Sequence, residues 1–326
     1  MEILANGAHQ IKVLVSAVGG DIGTSVAKIL YESGKHVTGC DIKDNPTGRQ
    51  FIDDFFISPP AKLGTQFVKW ALSICIEQNI SLFIPINEIE IAAVSSESSQ
   101  FDKYGIKVLI IASPFVEIFL DKYKTERFLR EEVRLKTPKS FLLSEFENQL
   151  SFPLIAKPRS GRGGHGNCRI DDEFDLRYAQ RKFKDGNYII QEYIGEPDQE
   201  YTTAIFSNRK LASSITFRRQ LGFGGLSSEV ELVSDPEMES NAATLASAIN
   251  LYGSINVQSR KMNGKHYIFE INPRISSTAL FRHFFGFKDV LWWCESLTGT
   301  DYTYTKNFKS GIGKRLLNEV YFNLSD

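Results

Sequence analysis

Side chains that carry oxygen ligands stand close together in the last quarter of the chain. The segment 269–274 reads FEINPR, and Glu270 and Asn272 within it are two residues apart. On a β-strand, residues two apart point to the same face of the sheet. Gln258, on the preceding strand, adds an amide oxygen to that face, and Mg²⁺ prefers such carboxylate and amide oxygens. The pattern predicts a metal site beside Arg274, whose guanidinium can pair with a phosphate oxygen. The alternative is an amphipathic hairpin with a solvated polar face.

The register of this hairpin decides whether the three oxygens share a face. If the apolar residues of both strands share one core face, Gln258 falls opposite Glu270 or two residues from it. We expect that register to need an odd-length loop around Asn263-Gly264, because a two-residue turn would pair Gln258 with Phe269. The core face of the second strand is then expected to consist of Tyr267, Phe269 and Ile271.

A lysine at the end of an apolar strand precedes a glycine-rich loop. Lys157 lies in FPLIAKP, residues 152–158, and burying its ammonium is costly without an anionic partner. The loop SGRGGHG, residues 160–166, can place successive backbone N–H groups around a phosphate. It is not a Walker loop, because the GKS or GKT ending is absent. The alternative is a flexible hairpin tip with a solvated lysine head. The candidates for phosphate binding are Lys157, Ser160, Gly161, Gly163 and Gly164.

A strand end and the turn after it carry groups that could hold a nucleoside. Gln191, Glu192, Tyr193 and Ile194 end an apolar strand, and Glu200 follows a turn. Backbone groups near Tyr193 and Ile194 could meet the edge of a base, and Glu200 could bind ribose hydroxyls. Without further context, two solvated glutamates are the better interpretation.

A glycine-bearing turn also follows a short apolar strand near the N-terminal end. The turn, Gly19–Gly23, precedes a helix, and Asp41 ends the next strand, where NAD-binding folds carry a ribose-binding acid. Val18 occupies the first glycine position of GxGxxG, so the motif is incomplete. The favoured interpretation is that the glycines only make the turn between strand and helix.

The elements that position these residues fall into two parts. Residues 11–112 alternate short apolar strands with helices, which is typical of a small doubly wound α/β domain. One charged helix is expected over 115–132. Beyond Pro138 strands follow one another with fewer helices, which favours an α+β architecture with antiparallel sheets. The predicted fold class is therefore α/β plus α+β.

Composition narrows the class of protein. The 326 residues include 38 Lys+Arg and 39 Asp+Glu, and the net charge of −1 disfavours a nucleic-acid binder. The 4 cysteines form no CxxC or Cys/His cluster, so neither a zinc site nor a disulfide framework is expected. No apolar run reaches the about 20 residues of a membrane span, and the N-terminus lacks the pattern of a signal peptide. We expect a cytoplasmic protein that binds neither nucleic acid nor a membrane.

Taken together, KPRSGRGGHG, QEYIG and INVQ followed by FEINPRISSTAL resemble the ATP-grasp superfamily. They are most similar to one synthetase unit of the carbamoyl-phosphate synthetase large subunit. The resemblance implies a pre-ATP-grasp α/β domain over 1–113 and an ATP-grasp domain over 114–326. Within the latter it implies a mobile ATP-binding lid over 138–204 and a metal- and substrate-binding body over 205–326.

The resemblance also implies a role for each candidate residue. Those that would bind ATP are Lys122, Lys157, Ser160, Gly161, Gly163, Gly164, Gln191, Glu192, Tyr193, Ile194 and Glu200. Those that would bind Mg²⁺ or Mn²⁺ are Gln258, Glu270 and Asn272. The catalytic ones are Arg274, which would steady the transferred phosphoryl group or acyl phosphate, and Lys157, which would contact the nucleotide phosphates. Arg218 and Arg219 could bind an acidic substrate. Asn87 and Glu88, just after a strand end, are further candidate substrate contacts, although a helix N-cap is at least as good an interpretation of Asn87.

The activity implied is that of an ATP-dependent ligase. Such an enzyme phosphorylates a small carboxylate and joins the acyl phosphate to an amine, releasing ADP and phosphate. A homodimer is expected. Carbamoyl phosphate is disfavoured as the product of this chain alone, because one synthetase unit is present and Lys157 stands where that enzyme has an arginine. The alternatives are a carbamoyl-phosphate synthetase-like half-enzyme that acts on bicarbonate or carbamate with a partner subunit, and a non-catalytic nucleotide-binding module.

Overall fold

The computed structural model of the chain describes residues 11–161, 163–184, 186–299, 308–316 and 320. These residues belong to two compact units. The first takes the described residues within 1–110, 290–302 and 319–326, and the second those within 111–289 and 303–318. In the described part of the chain, no helix combines the length and the apolar character that crossing a membrane requires.

The first unit is built on a parallel five-stranded sheet. Its strands are β1 (Lys12–Val15), β2 (His36–Asp41), β3 (Asp54–Ile57), β4 (Leu82–Ile84) and β5 (Lys107–Val108), in the order β3-β2-β1-β4-β5. The helices between them are α1 (Asp21–Glu32), α2 (Thr65–Glu77), α3 (Glu88–Glu97) and α4 (Ser99–Asp102). One buried cluster joins strand and helix residues, among them Leu14, Phe67, Phe83 and Phe101. The α/β architecture expected for this part is confirmed.

The start of α3 is tied to the end of β1 by one buried carboxylate. Asn87 caps α3 by accepting hydrogen bonds from the backbone N–H groups of Ile89 and Glu90, at 3.1 and 3.0 Å. Glu90, which is 5% exposed, accepts from the backbone N–H groups of Ile86 and Asn87 and from the Ser16 hydroxyl. Burial raises the pKa of the Glu90 carboxyl, and these three hydrogen bonds act against that rise.

We expect Glu90→Ala to lower the free energy of unfolding by about 3 kcal/mol, because it removes half of a capping box and leaves buried donors unpaired. Glu90→Gln keeps one acceptor oxygen and should lose less. Glu77→Ala, at the exposed end of α2, is the matched control and should change stability by less than about 0.5 kcal/mol. Urea unfolding followed by circular dichroism measures all three. A Glu90→Ala variant as stable as the Glu77→Ala variant would contradict this role.

The second unit contains two sheets and the helices around them. It begins with α5 (Ser113–Phe119) and α6 (Lys122–Phe128). The four-stranded sheet has the order β6-β9-β7-β8 and consists of β6 (Ser140–Leu142), β7 (Leu154–Pro158), β8 (Cys168–Ile170) and β9 (Tyr188–Glu192), with α7 (Glu173–Lys182). The six-stranded sheet consists of β10 (Glu200–Asn208), β11 (Ala212–Leu221), β12 (Ser227–Val233), β13 (Tyr252–Met262), β14 (Lys265–Asn272) and β15 (Ile312–Lys314). The remaining helices are α8 (Pro236–Ala248), α9 (Ala279–Phe285) and α10 (Asp289–Thr298), the last of which continues into the first unit.

The strand order of the six-stranded sheet is β14-β13-β10-β11-β12-β15, and all of its pairs are antiparallel. The pairs of the four-stranded sheet are antiparallel as well. The expected α+β architecture is therefore confirmed. The order also places β10 between β11 and β13, so side chains from three strands share one face of the sheet.

The β13–β14 hairpin reaches the expected pairing of Gln258 with Glu270, but by a different route. The turn Asn263-Gly264 has only two residues, and both have positive φ, 51° and 72°, as in type I′ hairpins. The expectation of an odd-length loop was wrong. Ser259 pairs with Ile268, so Phe269 is an extra residue that forms a β-bulge.

The bulge also changes which apolar side chains face the core. Ile268 and Ile271 are buried, whereas Tyr267 and Phe269 are half-buried. The expected core face of Tyr267, Phe269 and Ile271 was therefore wrong, because the alternation of side chains reverses at the extra residue. Phe269 lies instead beside Glu270 in the lining of a cleft.

Candidate active site

A cleft in the second unit gathers most of the candidate residues. It holds about 940 Å³, counted out to its open mouth. The candidates that line it are Lys122, Lys157, Gly161, Gly163, Gly164, Gln191, Glu192, Tyr193, Ile194, Glu200, Arg219, Gln258 and Glu270. A concave site with a few convergent polar groups is the usual form of a small-molecule site.

Lys157 places a buried positive charge in this cleft. The residue is only 7% exposed, and its Nζ lies 4.9 Å from the centre of the Phe269 ring, a cation–π distance. Burial lowers the pKa of Lys157 to about 8; Glu270 raises it, and Lys122 and Arg260 lower it further. Such an ammonium is stabilised by any anion that enters the cleft.

The linker before the four-stranded sheet contains two helices where one was expected. The prediction of a continuous helix over 115–132 was wrong, because α5 ends at Phe119 and α6 begins at Lys122. The Asp121 carboxylate caps α6 by accepting from the backbone N–H groups of Tyr123 and Lys124, at 2.9 and 3.3 Å. Lys122 is therefore the first residue of a separate helix.

Asp121 also fixes α6 to the glycine-rich loop. It forms an ion pair with Arg159, whose Nε donates to Oδ2 at 3.2 Å. The Nζ of Lys122 donates to the carbonyl oxygen of Gly161 at 2.9 Å. The Ser160 hydroxyl donates to the backbone carbonyl just before Asp121, at 3.2 Å. Ser160 is not among the lining residues of the cleft, and it joins the loop to the linker instead.

The glycine-rich loop lies against a second glycine-rich turn, which the sequence interpretation missed. A Cβ atom on Gly225, in the turn between β11 and β12, would stand 3.0 Å from the carbonyl oxygen and 3.1 Å from the Cα of Gly163. Both residues have positive φ, 74° for Gly225 and 64° for Gly163. Glycine alone meets both requirements without strain. The signal in the sequence was the run GFGG at 222–225.

The segment 192–194 of the cleft lining is held by contacts with the backbone before β6 and with arginine side chains. One carboxylate oxygen of Glu192 accepts from the backbone N–H just before β6, at 2.8 Å. The centre of the Tyr193 ring lies 4.6 Å from the guanidinium carbon of Arg169 and 5.2 Å from that of Arg260. Arg260 also donates to the carbonyl oxygen of Ile194 at 3.5 Å. A tyrosine ring with two guanidinium groups against it and a backbone carbonyl bound by Arg260 are therefore present where a base was expected.

Glu200 has two arginine partners. It is 4% exposed, its Oε1 accepts from Nε of Arg219 at 3.2 Å, and its Oε2 accepts from Nη2 of Arg260 at 3.0 Å. The interpretation of Glu200 as a solvated glutamate was therefore wrong. The sequence interpretation also missed Arg260, which lies two residues after Gln258 and so on the same face of β13.

The arrangement of the oxygen donors predicted to bind a metal suits Mg²⁺ only in part. Gln258 and Glu270 face each other across the hairpin, and both line the cleft. Asn272 is buried, and its Nδ2 donates to Oε1 of Glu270 at 3.2 Å, so the amide nitrogen is the atom directed at that carboxylate. A carboxylate with amide oxygens nearby is a hard donor set of the kind that Mg²⁺ takes. Asn272 and Arg274 are not lining residues, and Arg274 donates to the carbonyl of Ile275 at 3.0 Å.

A family model of the ATP-grasp domain matches residues 119–278, the range that contains this cleft. Residues 119–278 form an ATP-grasp domain. The carbamoyl phosphate synthase large chain of Methanothrix thermoacetophila is 24% identical over 212 residues, with 59% of this chain and 20% of that protein covered. The chain spans about a fifth of the length of the curated relatives that it matches.

Solved structures share the fold of the ATP-grasp domain and of the unit before it. The biotin carboxylase domain of Hydrogenobacter thermophilus 2-oxoglutarate carboxylase, in complex with MgADP, ADP and bicarbonate, has a TM-score of 0.75 at 16% identity, covering 93% of this chain and 74% of that chain. An L-amino acid ligase from Bacillus licheniformis has a TM-score of 0.71 at 16% identity, covering 88% of this chain and 74% of that chain. These likenesses confirm the expected fold.

Of the two neighbouring arginines on β11, one faces the cleft of the ATP-grasp domain. Arg219 is buried and lines it. Arg218 is exposed, is not a lining residue, and donates from Nε to Glu231 at 3.1 Å. Consecutive residues of a strand point to opposite faces. Of the two arginines named as candidate substrate contacts, the structure therefore places only Arg219 in the cleft lining.

The candidates outside the ATP-grasp domain lie where β4 ends and α3 begins. Asn87 is the N-cap of α3, which confirms the N-cap interpretation, and Glu88 is the first residue of that helix. The carboxyl edge of a doubly wound sheet offers a crevice to ligands. A substrate contact by either residue stays a prediction.

Backbone and side-chain groups of the same unit occupy the space around the glycine turn after β1. The N–H of Gly19 donates to Oδ2 of Asp41 at 2.9 Å. A Cβ on Gly23 would lie 2.2 Å from the carbonyl oxygen of Ala17, so only glycine fits there. The N–H of Gly48 donates to the Val18 carbonyl at 3.0 Å. These contacts agree with the favoured interpretation, in which the glycines make the turn.

Proposed function

We propose that this chain is an ATP-dependent ligase that activates a carboxylate as an acyl phosphate and joins it to an amine, with release of ADP and phosphate. The observation that carries the proposal is the meeting of Lys157 with the Gln258–Glu270 pair in one cleft of an ATP-grasp domain. A cation, oxygen donors and a glycine-rich loop together suit the phosphates of a metal-bound nucleotide.

The roles that we propose follow the cleft from one end to the other. The phosphates would contact Lys122 and Lys157 beneath the loop 160–166. The base would lie against residues 192–194, and the ribose would bind Glu200. Mg²⁺ or Mn²⁺ would bind the oxygen donors Gln258, Glu270 and Asn272. When bound, the metal would neutralise charge on the transferred phosphoryl group.

The chain's own residues would protect the activated carboxylate. Gly163 and Gly225 lie close together in the lining of the cleft, and a glycine-rich loop closed over the phosphates would exclude the water that hydrolyses an acyl phosphate. Lys157 would stay protonated beside the phosphates, because burial lowers its pKa and a nearby anion raises it again. Arg274 stays our candidate for steadying the acyl phosphate.

A second candidate function is a carbamoyl-phosphate synthetase-like half-enzyme that phosphorylates bicarbonate or carbamate with a partner subunit. The observation in its favour is the sequence likeness to carbamoyl phosphate synthase large chains, at 24% identity over 212 residues. The two candidates share the nucleotide site and differ in what receives the phosphoryl group. The carboxylate and amine substrates, a homodimer and a cytoplasmic location stay predictions.

Measuring ADP release by the full chain distinguishes these functions. A panel pairs MgATP with amino acids and other small carboxylates, each with and without an amine, and with bicarbonate with and without ammonia. The ligase proposal expects release that requires one carboxylate together with one amine. Release only with bicarbonate plus ammonia would favour the half-enzyme. Binding of MgADP without release under any condition would leave a non-catalytic nucleotide-binding module.

A further inference from the structure

One buried guanidinium contacts two of the candidate ligand groups in the cleft. From β11, Arg219 spans the central strand β10 and reaches Gln258 on β13. Its Nη2 donates to Oε1 of Gln258 at 2.9 Å, and its Nε donates to Oε1 of Glu200 at 3.2 Å. The residue is 6% exposed, so its donors are directed at protein groups rather than at solvent.

This contact selects one orientation of the Gln258 amide. A glutamine side chain ends in an oxygen acceptor and a nitrogen donor, and arginine only donates. The Arg219 guanidinium therefore attracts Oε1 of Gln258 and would repel Nε2. An amide oxygen has two lone pairs, so it can accept from Arg219 and coordinate a cation at the same time. Without Arg219, the Gln258 amide would lose the donor that holds its oxygen in place, and its nitrogen could turn toward the metal.

The same guanidinium orients the carboxylate expected to bind ribose. Oε1 of Glu200 accepts from Arg219, and Oε2 accepts from Arg260 at 3.0 Å, so both oxygens are held. Loss of Arg219 would release one oxygen, while Arg260 would still compensate the buried charge. A buried charge that keeps a partner costs far less than one left alone. A variant at Arg219 is therefore expected to fold.

We propose that Arg219 is a positioning residue that orients Gln258 for the metal and Glu200 for the ribose of a bound nucleotide. The inference rests on the proposed function, since it takes this cleft to bind MgADP and MgATP. Partners that orient metal ligands typically change metal affinity by about 10–100-fold when they are removed. The role differs from the substrate contact expected from the sequence, because Arg219 acts through two other side chains.

Calorimetric titration of the full chain with ADP, with and without Mg²⁺, tests this role. The ratio of the two affinities is the enhancement by Mg²⁺. We expect Arg219→Met to reduce that enhancement by about tenfold or more. Gln258→Ala should reduce it by a similar factor, and the double variant by no more than either single one, because Arg219 acts through Gln258. Arg219→Lys has a single ammonium in place of the forked guanidinium, so it should recover only part of the enhancement by Mg²⁺.

Arg218→Met is the matched control, since it removes a guanidinium from the next position on β11 that pairs with Glu231 outside the cleft lining. Arg218→Met should keep the full enhancement of ADP affinity by Mg²⁺. An equal loss of ADP affinity with and without Mg²⁺, or additive losses in the double variant, would overturn the proposal. Circular dichroism checks folding, and Arg219→Lys gives the answer if Arg219→Met does not fold. A wild-type chain that binds no MgADP would refute the proposed function itself, and this role with it.

Discussion

Glu270→Gln is expected to lower the rate of ATP-dependent turnover by about 10³-fold, or about 4 kcal/mol of transition-state stabilisation. Glu270 is the charged member of the oxygen set, and it lies opposite Gln258 in the cleft. Glutamine keeps the size and one oxygen but loses the negative charge that holds a divalent cation. The measurement is initial ADP release with the best substrate pair at saturating ATP and Mg²⁺.

Glu231→Gln is the control for this variant. Glu231 is paired with Arg218 and is not a lining residue, so its replacement should leave turnover unchanged. Mn²⁺ binding in the presence of ADP, followed by electron paramagnetic resonance, gives a second readout that does not depend on turnover. Unaltered turnover and unaltered Mn²⁺ binding in Glu270→Gln would together remove Glu270 from the metal site.

Nucleotide affinity is expected to fall by about tenfold between pH 7 and pH 9 because of Lys157. Burial lowers the pKa of this lysine to about 8, against the effect of Glu270, which raises it. Below that pH the ammonium is charged and attracts phosphate; above it the charge is lost. Phosphate groups with a second pKa of about 6 stay ionised throughout this window. Affinity should therefore be highest on the low side of pH 8, and binding near pH 8 should take up protons.

Two variants separate the charge of Lys157 from its packing. Lys157→Arg keeps a charge that does not titrate below a pKa of about 12, so its affinity should be nearly independent of pH over the same range. Lys157→Met keeps the apolar stem and should lose about 100-fold in affinity at pH 7, because a charged hydrogen bond is worth about 1.5–3 kcal/mol. Lys124→Met, at an exposed position of α6, is the control. The same pH dependence in Lys157→Arg as in the wild type would assign the titration to another group.

The periodicity of apolar residues predicted those strands and helices that are buried on one or both faces. The strands β7 and β13 could be predicted because their apolar residues follow the spacing that a buried strand requires. Short edge strands such as β15 carry little of that signal, since only one side of them is paired. The helix break at Asp121 was missed for a different reason. An aspartate caps a helix only when neighbouring structure places a helix start there, and here Arg159 holds the carboxylate.

The sequence alone identified several of the residues that line the cleft, because residue type and the spacing of residues on a strand are local properties. Lys157, Gln258 and Glu270 were predicted on that basis and line the cleft, whereas a binding role for Glu200, which also lines it, came from the family resemblance. Only the tertiary structure decided that a bulge at Phe269 preserves the pairing of Gln258 with Glu270. It also decided the burial of Lys157 and the position of Arg219 between two partners, since these depend on which strands become neighbours. Strand order joins residues far apart in the chain, and no local pattern carries that information.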